Sequence, residues 1–324
     1  MPDLFTYILF FAGFFILELI YFRIAVNYKI IDQPNERSSH KRITVRGGGI
    51  IFPIAVLGWF LLHDFQYPFF AAGLFLVSVV SFIDDILDLH SRVRFAAQFI
   101  AVACMFWQLP LELAWHDYLL ALIMIIGTVN AWNFMDGING ITGIYSITVL
   151  LSLYWINQTV NFVDGSLIVM LLVALLVFGF FNFRKKAVCF AGDIGSVAAA
   201  FSICFLLLKL IVQTGNLLYI LFLLVYGLDS VITILFRLKR RENIFEAHRT
   251  HFYQYLSNER QWPHLRVSAM YGLIQLAINL VLIYCLPVQA ANSFLWLILI
   301  SLATGVFFIL LRFRVEGRKY LLGE

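Results

Sequence analysis

Eleven apolar blocks divide most of the sequence, and they limit its fold more than any other feature. A helix needs roughly 20 apolar residues to cross a bilayer core of about 30 Å. Charged residues make up only 13% of the 324 residues, too few to cover a soluble protein of that length. The sequence therefore predicts one all-α domain, residues 1–324, that crosses a membrane about eleven times. We place the blocks at about 4–26, 47–63, 67–83, 95–110, 117–134, 140–157, 165–182, 194–213, 216–236, 267–287 and 292–312.

The basic residues predict the orientation of the chain, because Lys and Arg in short loops stay in the cytoplasm. With the N-terminus outside, the inward segments hold all but Lys209 of the 23 Lys and Arg residues. The C-terminus is then cytoplasmic. The net charge of +4 reflects this bias, and we expect no nucleic-acid partner. Cytoplasmic loops are predicted at about 27–46, 84–94, 134–139, 183–193 and 237–266.

The most informative polar stretch reads N-A-W-N-F-M-D-G-I-N-G, from Asn130 to Gly140, where an apolar block ends. Asn130, Asn133 and Asp136 recur every three residues, so on a helix they share one face. Amides and a carboxylate are costly in so apolar a chain unless a polar ligand satisfies them. We expect a phosphate-bearing substrate and a metal ion here.

Two other acidic positions lie at predicted cytoplasmic ends. Asp84 and Asp85 are adjacent, and they repel each other unless a cation or a proton relieves them. The following Arg92 and Arg94 also fit an ordinary solvated helix end. Asp193, in G-D-I-G-S, fits a helix N-cap and a metal ligand equally well.

Most of the remaining polar features fit more than one interpretation. Arg46 with the triplet Gly47–Gly49 suits an anion at a helix start, although glycines are also common in tight membrane-helix packing. H-R-T-H, from His248 to His251, fits a metal pair, a phosphate-binding pair or surface histidines. Asp229, inside an apolar block, is predicted to face a polar cavity. Glu18, in the first block, fits a carboxylate near the headgroups or one paired with a neighbouring helix.

All but Glu18 of these features lie at or near predicted cytoplasmic ends, which indicates one polar site at that membrane surface. Carboxylates, amides, histidines and arginines together suit a diphosphate with bound Mg²⁺. A transporter is the main alternative, and it predicts polar groups near the bilayer midplane. The CDP-alcohol phosphotransferases are disfavoured, because their pattern needs an Ala-Arg pair soon after D-G, where this chain has Ile138 and Asn139.

The chain resembles the polyprenyl-phosphate N-acetylhexosamine-1-phosphate transferases. The resemblance rests, in order, on D-Q-P-N-E-R-S-S-H with R-G-G-G, the Asp84–Asp85 pair, N-A-W-N-F-M-D-G-I-N-G, G-D-I-G-S, Asp229 and H-R-T-H. It implies transfer of a sugar-1-phosphate from a UDP-N-acetyl sugar to undecaprenyl phosphate, with release of UMP. It also implies Mg²⁺ or Mn²⁺ as cofactor and a site at the cytoplasmic face of a bacterial inner membrane. A homodimer and an inactive lipid-binding relative are both compatible with it.

The resemblance also assigns roles by position. Asp193 and Asp84 would hold the metal ion. The catalytic group would be Asp84, Asp85, Asp136 and His248. Substrate-binding residues would be Arg46, Gly48, Asn130, Asn133, Asn139, Arg94, Asp229, Arg249 and His251.

Two departures from the family pattern bear on the substrate. Asn139 stands where relatives often have a second aspartate, and Val45 stands where proline is common. Together with the short His motif, they resemble the branch that initiates O-antigen-type polysaccharides more than the peptidoglycan branch. We therefore expect a small UDP-N-acetyl sugar.

Overall fold

The computed structural model describes residues 3–32, 43–109, 114–243, 248–288 and 291–323. Within those ranges nearly all regular structure is helical, so the predicted all-α class is confirmed. Most of the D-Q-P-N-E-R-S-S-H motif lies outside the described residues. The long helices are α1 Leu4–Asn27, α2 Ile51–Leu62, α3 Pro68–Leu87, α4 Ser91–Gln108, α5 Trp115–Met135, α6 Ile141–Val160, α7 Gly165–Asn182, α8 Gly192–Thr214, α9 Leu224–Lys239, α11 His264–Cys285 and α12 Ser293–Glu316.

Short elements complete the chain. The 3₁₀ turns Gly48–Ile50 and Leu217–Leu223 lead into α2 and α9. α10 is Phe252–Gln254, followed by a π turn over Tyr255–Glu259, and α13 is Arg318–Leu322.

Each predicted apolar block corresponds to one long helix, and the ends agree within about four residues except at the ninth block, 216–236. That block begins with the 3₁₀ turn Leu217–Leu223, so α9 starts only at Leu224. Among the described residues, eight helices are long and apolar enough to cross a membrane, which confirms a polytopic membrane protein. α2 is shorter, and α4 and α6 carry more polar residues. The crossing number of about eleven and the orientation of the termini remain predictions.

α7 and α8 form the centre of the bundle, because most of their residues are buried. α8 packs against α3, α5 and α6, and α3 also packs against α4. The 3₁₀ turn before α2 also packs closely on α8: Gly195 lies against the backbone of Gly49, and a side chain at either position would clash. α12 lies on the outside, with only three buried residues.

A strand pair that the sequence did not predict links the first loop to the start of α8. Ile31–Asp32 (β1) pairs antiparallel with Thr44–Val45 (β2). Val45 also bridges to Cys189: its N–H donates to Val188 (3.2 Å), and its carbonyl accepts from the Phe190 N–H (2.8 Å). This link places Arg46 beside Asp193.

Candidate active site

A pocket opens at the end of the bundle where α3 and α5 finish and α4 and α8 begin. These helices run in alternating directions, so their polar ends come together. Asp84, Arg94, Gln98 and the two asparagines of α5 supply polar lining, together with Ser81 and Asp193. Its apolar wall is formed by Val77, Val80, Ala97 and Val197. Asn130 and Asn133 thus lie on one helix face and line the same pocket.

Asp85 determines how Asp193 is presented. α8 begins at Gly192 without a side-chain cap of its own. Instead Asp85, from α3, accepts the N–H groups of Asp193 (2.9 Å) and Ile194 (3.1 Å). A carboxylate at a helix N-terminus satisfies donors that have no partner within the helix. Because Asp85 supplies the cap, the carboxylate of Asp193 is left to face the pocket.

Gly192 is required for this approach. Its φ is +71°, a left-handed conformation that favours glycine, and an added side chain would lie 2.7 Å from Asp85 Oδ2. The glycine therefore lets the end of α3 reach the first turn of α8.

Two arginines offset the negative charge of three carboxylates. Arg46 Nε lies 2.7 Å from Asp85 Oδ1, and its Nη2 lies 3.4 Å from Asp193 Oδ1. Arg94 Nη1 lies 3.0 Å from Asp84 Oδ2 and 3.9 Å from Asp193 Oδ2. Asp193 therefore stands between two guanidinium groups. Such groups also bind phosphate oxygens well, so the same arginines suit an anionic substrate.

Asp136 borders this cluster at the end of α5, outside the pocket lining. Its Oδ1 accepts the Thr142 hydroxyl at 2.7 Å. Burial raises the pKa of Asp136 to about 7, and the charge of Asp193 adds to this effect. The Thr142 hydroxyl and Arg46 oppose the rise. A carboxyl group that changes charge near neutral pH thus lies beside the site.

The H-R-T-H segment lies against the same end of α5. The Tyr253 hydroxyl donates to the Phe134 carbonyl at 3.0 Å. The ring centroid of His248 lies 6.2 Å from that of Phe134 and 4.9 Å from that of His251. The two histidines thus lie at the end of α5 and outside the pocket lining. His248 Nδ1 lies 2.7 Å from Arg237 Nη1, and His251 is buried with its Nδ1 3.4 Å from Asp229 Oδ1. Arg249, between the two histidines, is exposed.

Three predicted substrate-binding residues are engaged elsewhere. Asn139 Nδ2 donates to the Arg184 carbonyl at 2.7 Å. The Gly48 N–H donates to the Phe190 carbonyl at 2.8 Å, and a side chain at Gly48 would lie 2.6 Å from Cys189 Sγ. Asp229 is fully buried, and it accepts from the Tyr271 hydroxyl at 2.6 Å. In this structure these three residues hold loops and helices together.

Glu18 is also buried, and it does not line the pocket. Cys189 Sγ donates to its Oε1 at 4.0 Å, and the carboxyl lies against Gly48. It therefore packs α1 against the segment that carries Arg46 and the start of α8.

Four polar residues at or beside the site were not predicted as functional: Ser81 and Gln98 line the pocket, and Ser196 and Tyr253 bond to α5. Asn133 Nδ2 donates to Ser196 Oγ (3.2 Å), and Tyr253 bonds to α5 as described above. Ser196 follows Asp193 by three residues on α8, and that spacing is a usable signal. For Tyr253 the sequence offers only its nearness to H-R-T-H. Gln98 follows Arg94 by four residues, so the two share a face of α4, and its Oε1 accepts from Asn130 Nδ2 at 2.8 Å.

The oxygen donors fit a hard divalent cation that is shared with a substrate. Asp84 and Asp193 offer carboxylate oxygens, and Asn133 offers an amide oxygen in the same pocket. Among the described residues, no three His, Cys, Asp or Glu side chains are grouped to hold a metal ion by themselves. Mg²⁺ is commonly held by one or two carboxylates, with phosphates and water completing its shell. The site matches that sparse arrangement.

Fold and site together define a polytopic, all-helical membrane protein with an acidic, amide-lined site at one end of its bundle. The glycosyl transferase family 4 model matches residues 67–211. That stretch includes the acidic residues of α3 and α8 and the asparagines of α5. Arg46 and the H-R-T-H segment lie outside it.

Curated relatives extend the match. A probable undecaprenyl-phosphate N-acetylglucosaminyl 1-phosphate transferase of Bacillus subtilis is 27% identical over 262 residues, covering 72% of this chain and 71% of that protein. A phospho-N-acetylmuramoyl-pentapeptide-transferase of Thermotoga neapolitana is 28% identical over 265 residues, covering 75% and 84%. A Salmonella typhi undecaprenyl-phosphate alpha-N-acetylglucosaminyl 1-phosphate transferase is 27% identical over 210 residues, covering 58% and 57%. The family match and these relatives support placing the chain with the polyprenyl-phosphate N-acetylhexosamine-1-phosphate transferases, to which it is similar.

Proposed function

We propose that the protein transfers an N-acetylhexosamine-1-phosphate from a UDP-sugar to undecaprenyl phosphate. An oxygen of the lipid phosphate attacks the β-phosphorus, the bond from that phosphorus to the bridging oxygen breaks, and UMP leaves with the bridging oxygen. The observation that carries the proposal is the convergence of Asp84, Asp193, Arg46 and Arg94 at a single pocket that includes Asn133. Such a transfer needs positioning and charge neutralisation more than covalent chemistry.

Asp84 and Asp193 would hold Mg²⁺ or Mn²⁺, with the amide oxygen of Asn133 nearby. When bound, the cation supplies Lewis-acid stabilisation of charge on the phosphates. Arg46 and Arg94, now paired with these carboxylates, would turn to the phosphate oxygens of the substrates. Exchange of one anion for another keeps each guanidinium paired throughout binding.

The other predicted residues divide into two roles. Asp85 lies outside the pocket lining, and both of its oxygens bind the first turn of α8, so we assign it to holding Asp193 in place. Asp136, His248 and His251 lie around the end of α5 and would contact the nucleotide sugar. Asp136 is the group suited to accept a proton near neutral pH.

The pocket would face the cytoplasm, where UDP-sugars are made, and the lipid acceptor would enter from the membrane. We propose a small UDP-N-acetyl sugar such as UDP-N-acetylglucosamine. The departures at Val45 and Asn139 support that choice over a pentapeptide-bearing donor.

The test uses the purified full-length protein with undecaprenyl phosphate, Mg²⁺ and a panel of radiolabelled UDP-sugars. We expect UMP and a labelled lipid from at least one UDP-N-acetylhexosamine, and neither product with excess EDTA. If no donor in the panel gives a labelled lipid, the transferase proposal is wrong.

A further inference from the structure

α12 lies on the outside of the bundle, yet it carries a buried ion pair. Arg312 and Glu316 lie one turn apart on α12, with 1% and 8% of their surfaces exposed. The guanidinium donates through Nε to Glu316 Oε1 and through Nη2 to Oε2 (2.9 Å). Besides Ser293, they are the only buried residues of α12. Burying two charges costs free energy even when they pair, so packing alone does not explain them.

Arg312 also bonds to the segment that carries the two histidines. Its Nη2 donates to the Thr250 carbonyl at 2.9 Å, and its Nη1 donates to the Thr233 hydroxyl at 2.7 Å. That hydroxyl in turn donates to Asp229 Oδ1 at 3.2 Å. The guanidinium also lies 6.0 Å from the ring centroid of Phe252. One chain of hydrogen bonds thus joins α12, α9 and the H-R-T-H segment.

Asp229 holds the same segment from the other side. Its two oxygens accept the N–H groups of Phe252 (2.8 Å) and Tyr253 (3.2 Å). The Arg312 guanidinium therefore binds the Thr250 carbonyl, and the Asp229 carboxylate binds the N–H groups of Phe252 and Tyr253. All of these backbone groups lie within residues 250–253. Hydrogen bonds to charged groups are stronger than neutral ones, so this backbone is firmly fixed.

The fixed backbone determines where the histidine rings lie. Thr250 stands between His248 and His251, and Tyr253 bonds to the Phe134 carbonyl. A shift of the Thr250–Tyr253 backbone would move both rings relative to the end of α5. Rings held to bind phosphate oxygens lose that contact with small displacements.

We infer that Arg312 and Asp229 are positioning residues that set His248 and His251 against the nucleotide-sugar side of the pocket, with Glu316 orienting Arg312. The inference rests on the proposed transferase function, because it takes the histidines to bind the donor. We call the bonds from Arg312 and Asp229 to residues 250–253 the clamp. The proposed function assigns both histidines to the donor, so loss of the clamp should weaken use of the UDP-sugar and spare use of undecaprenyl phosphate.

The test removes both charges together. The double variant Arg312→Met/Glu316→Leu removes the ion pair as a unit, so it is less disruptive than either single change. Asp229 keeps the Phe252 and Tyr253 N–H groups, the Tyr271 hydroxyl and the His251 ring as neighbours. Trp59→Phe is the control: it removes a buried hydrogen bond to Ser166 (2.7 Å) at the opposite end of the bundle. The full-length proteins are compared for Tm, for KM of each substrate and for kcat.

We expect the double variant to raise KM for the UDP-sugar by about tenfold or more, with KM for undecaprenyl phosphate within about twofold of wild type. The control should leave both KM values unchanged at a comparable Tm. Equal rises in both KM values, or a wild-type KM for the donor, would overturn the inference. If the double variant does not fold, Arg312→Lys, which keeps the charge but loses the fork geometry, should raise the donor KM selectively, and an unchanged value overturns the inference.

Hydrogen–deuterium exchange gives a measurement that does not depend on activity. In the double variant the amides of Phe252 and Tyr253 should exchange faster, while amides in α7 keep the wild-type rate. Unchanged exchange at these two amides would show that Arg312 does not hold the segment. A wild-type protein that forms no lipid product instead removes the proposed function, and this measurement still tests the clamp.

Discussion

Among single residues, Asp193 combines three properties that point to a cation ligand. Its backbone N–H is bound by Asp85, its carboxylate lines the pocket, and two guanidinium groups flank it. Asp193→Asn keeps the size of the side chain and removes its charge. We expect transfer to fall by on the order of 100-fold or more at every Mg²⁺ concentration, with Tm near wild type. The measurement is UMP release across a Mg²⁺ titration.

Asp117, half-exposed at the other end of α5, is the matched control for that change. Asp117→Asn should have wild-type rates. Substantial activity in Asp193→Asn would move the metal-binding role to another carboxylate.

Asp136 should give transfer its pH dependence. Because its pKa is raised to about 7, the carboxyl is protonated below that pH and ionised above it. If the ionised form is the active one, kcat rises from about pH 6 to about pH 8 and then levels off. Asp136→Asn should give a low rate without this rise. A wild-type profile that is flat over this range would exclude Asp136 as the titrating group.

At the scale of helices, the start of α8 depends on a residue from α3. Asp85→Ala removes the acceptor for two N–H groups and a partner of Arg46, so we expect a stability loss of about 1 kcal/mol or more. Asp193 should then shift, and transfer should fall strongly. The measurements are Tm in detergent and the rate of lipid product formation.

Asp164→Ala is a matched helix-start variant. Asp164 begins α7 at the opposite end of the bundle, and it accepts the N–H (2.9 Å) and the hydroxyl (2.7 Å) of Ser166. The Asp164→Ala change should lower Tm about as much as Asp85→Ala does, and it should leave transfer unchanged. Equal loss of activity in both variants would mean that Asp85 acts only through general stability.

For the whole molecule, the sequence predicted what depends on local pattern. Hydropathy is local, so the apolar blocks located all eleven long helices, and loop charges indicated which ends share a side. The link between Val45 and Cys189, the cap from Asp85 to α8 and the clamp from Arg312 to Thr250 join residues distant in sequence. Such pairings depend on packing, and one sequence carries no signal for them. Asp229 and Asn139 were predicted to bind substrate, and in the structure they bond to the backbone of neighbouring loops, because residue type does not reveal the partner.

The orientation of the bundle is the remaining prediction for the whole molecule, and it follows from the basic loops. In a background with Cys104→Ser and Cys285→Ser, single cysteines are placed at two exposed sites: Lys185, between α7 and α8, and Gln66, between α2 and α3. The native Cys189 and Cys204 are buried, so they should react slowly. Intact cells treated with a membrane-impermeant maleimide should be labelled at Gln66→Cys, while Lys185→Cys should react only after permeabilisation. The opposite pattern would place the acidic pocket on the outer face, out of reach of cytoplasmic UDP-sugars, and the proposed reaction would then be wrong.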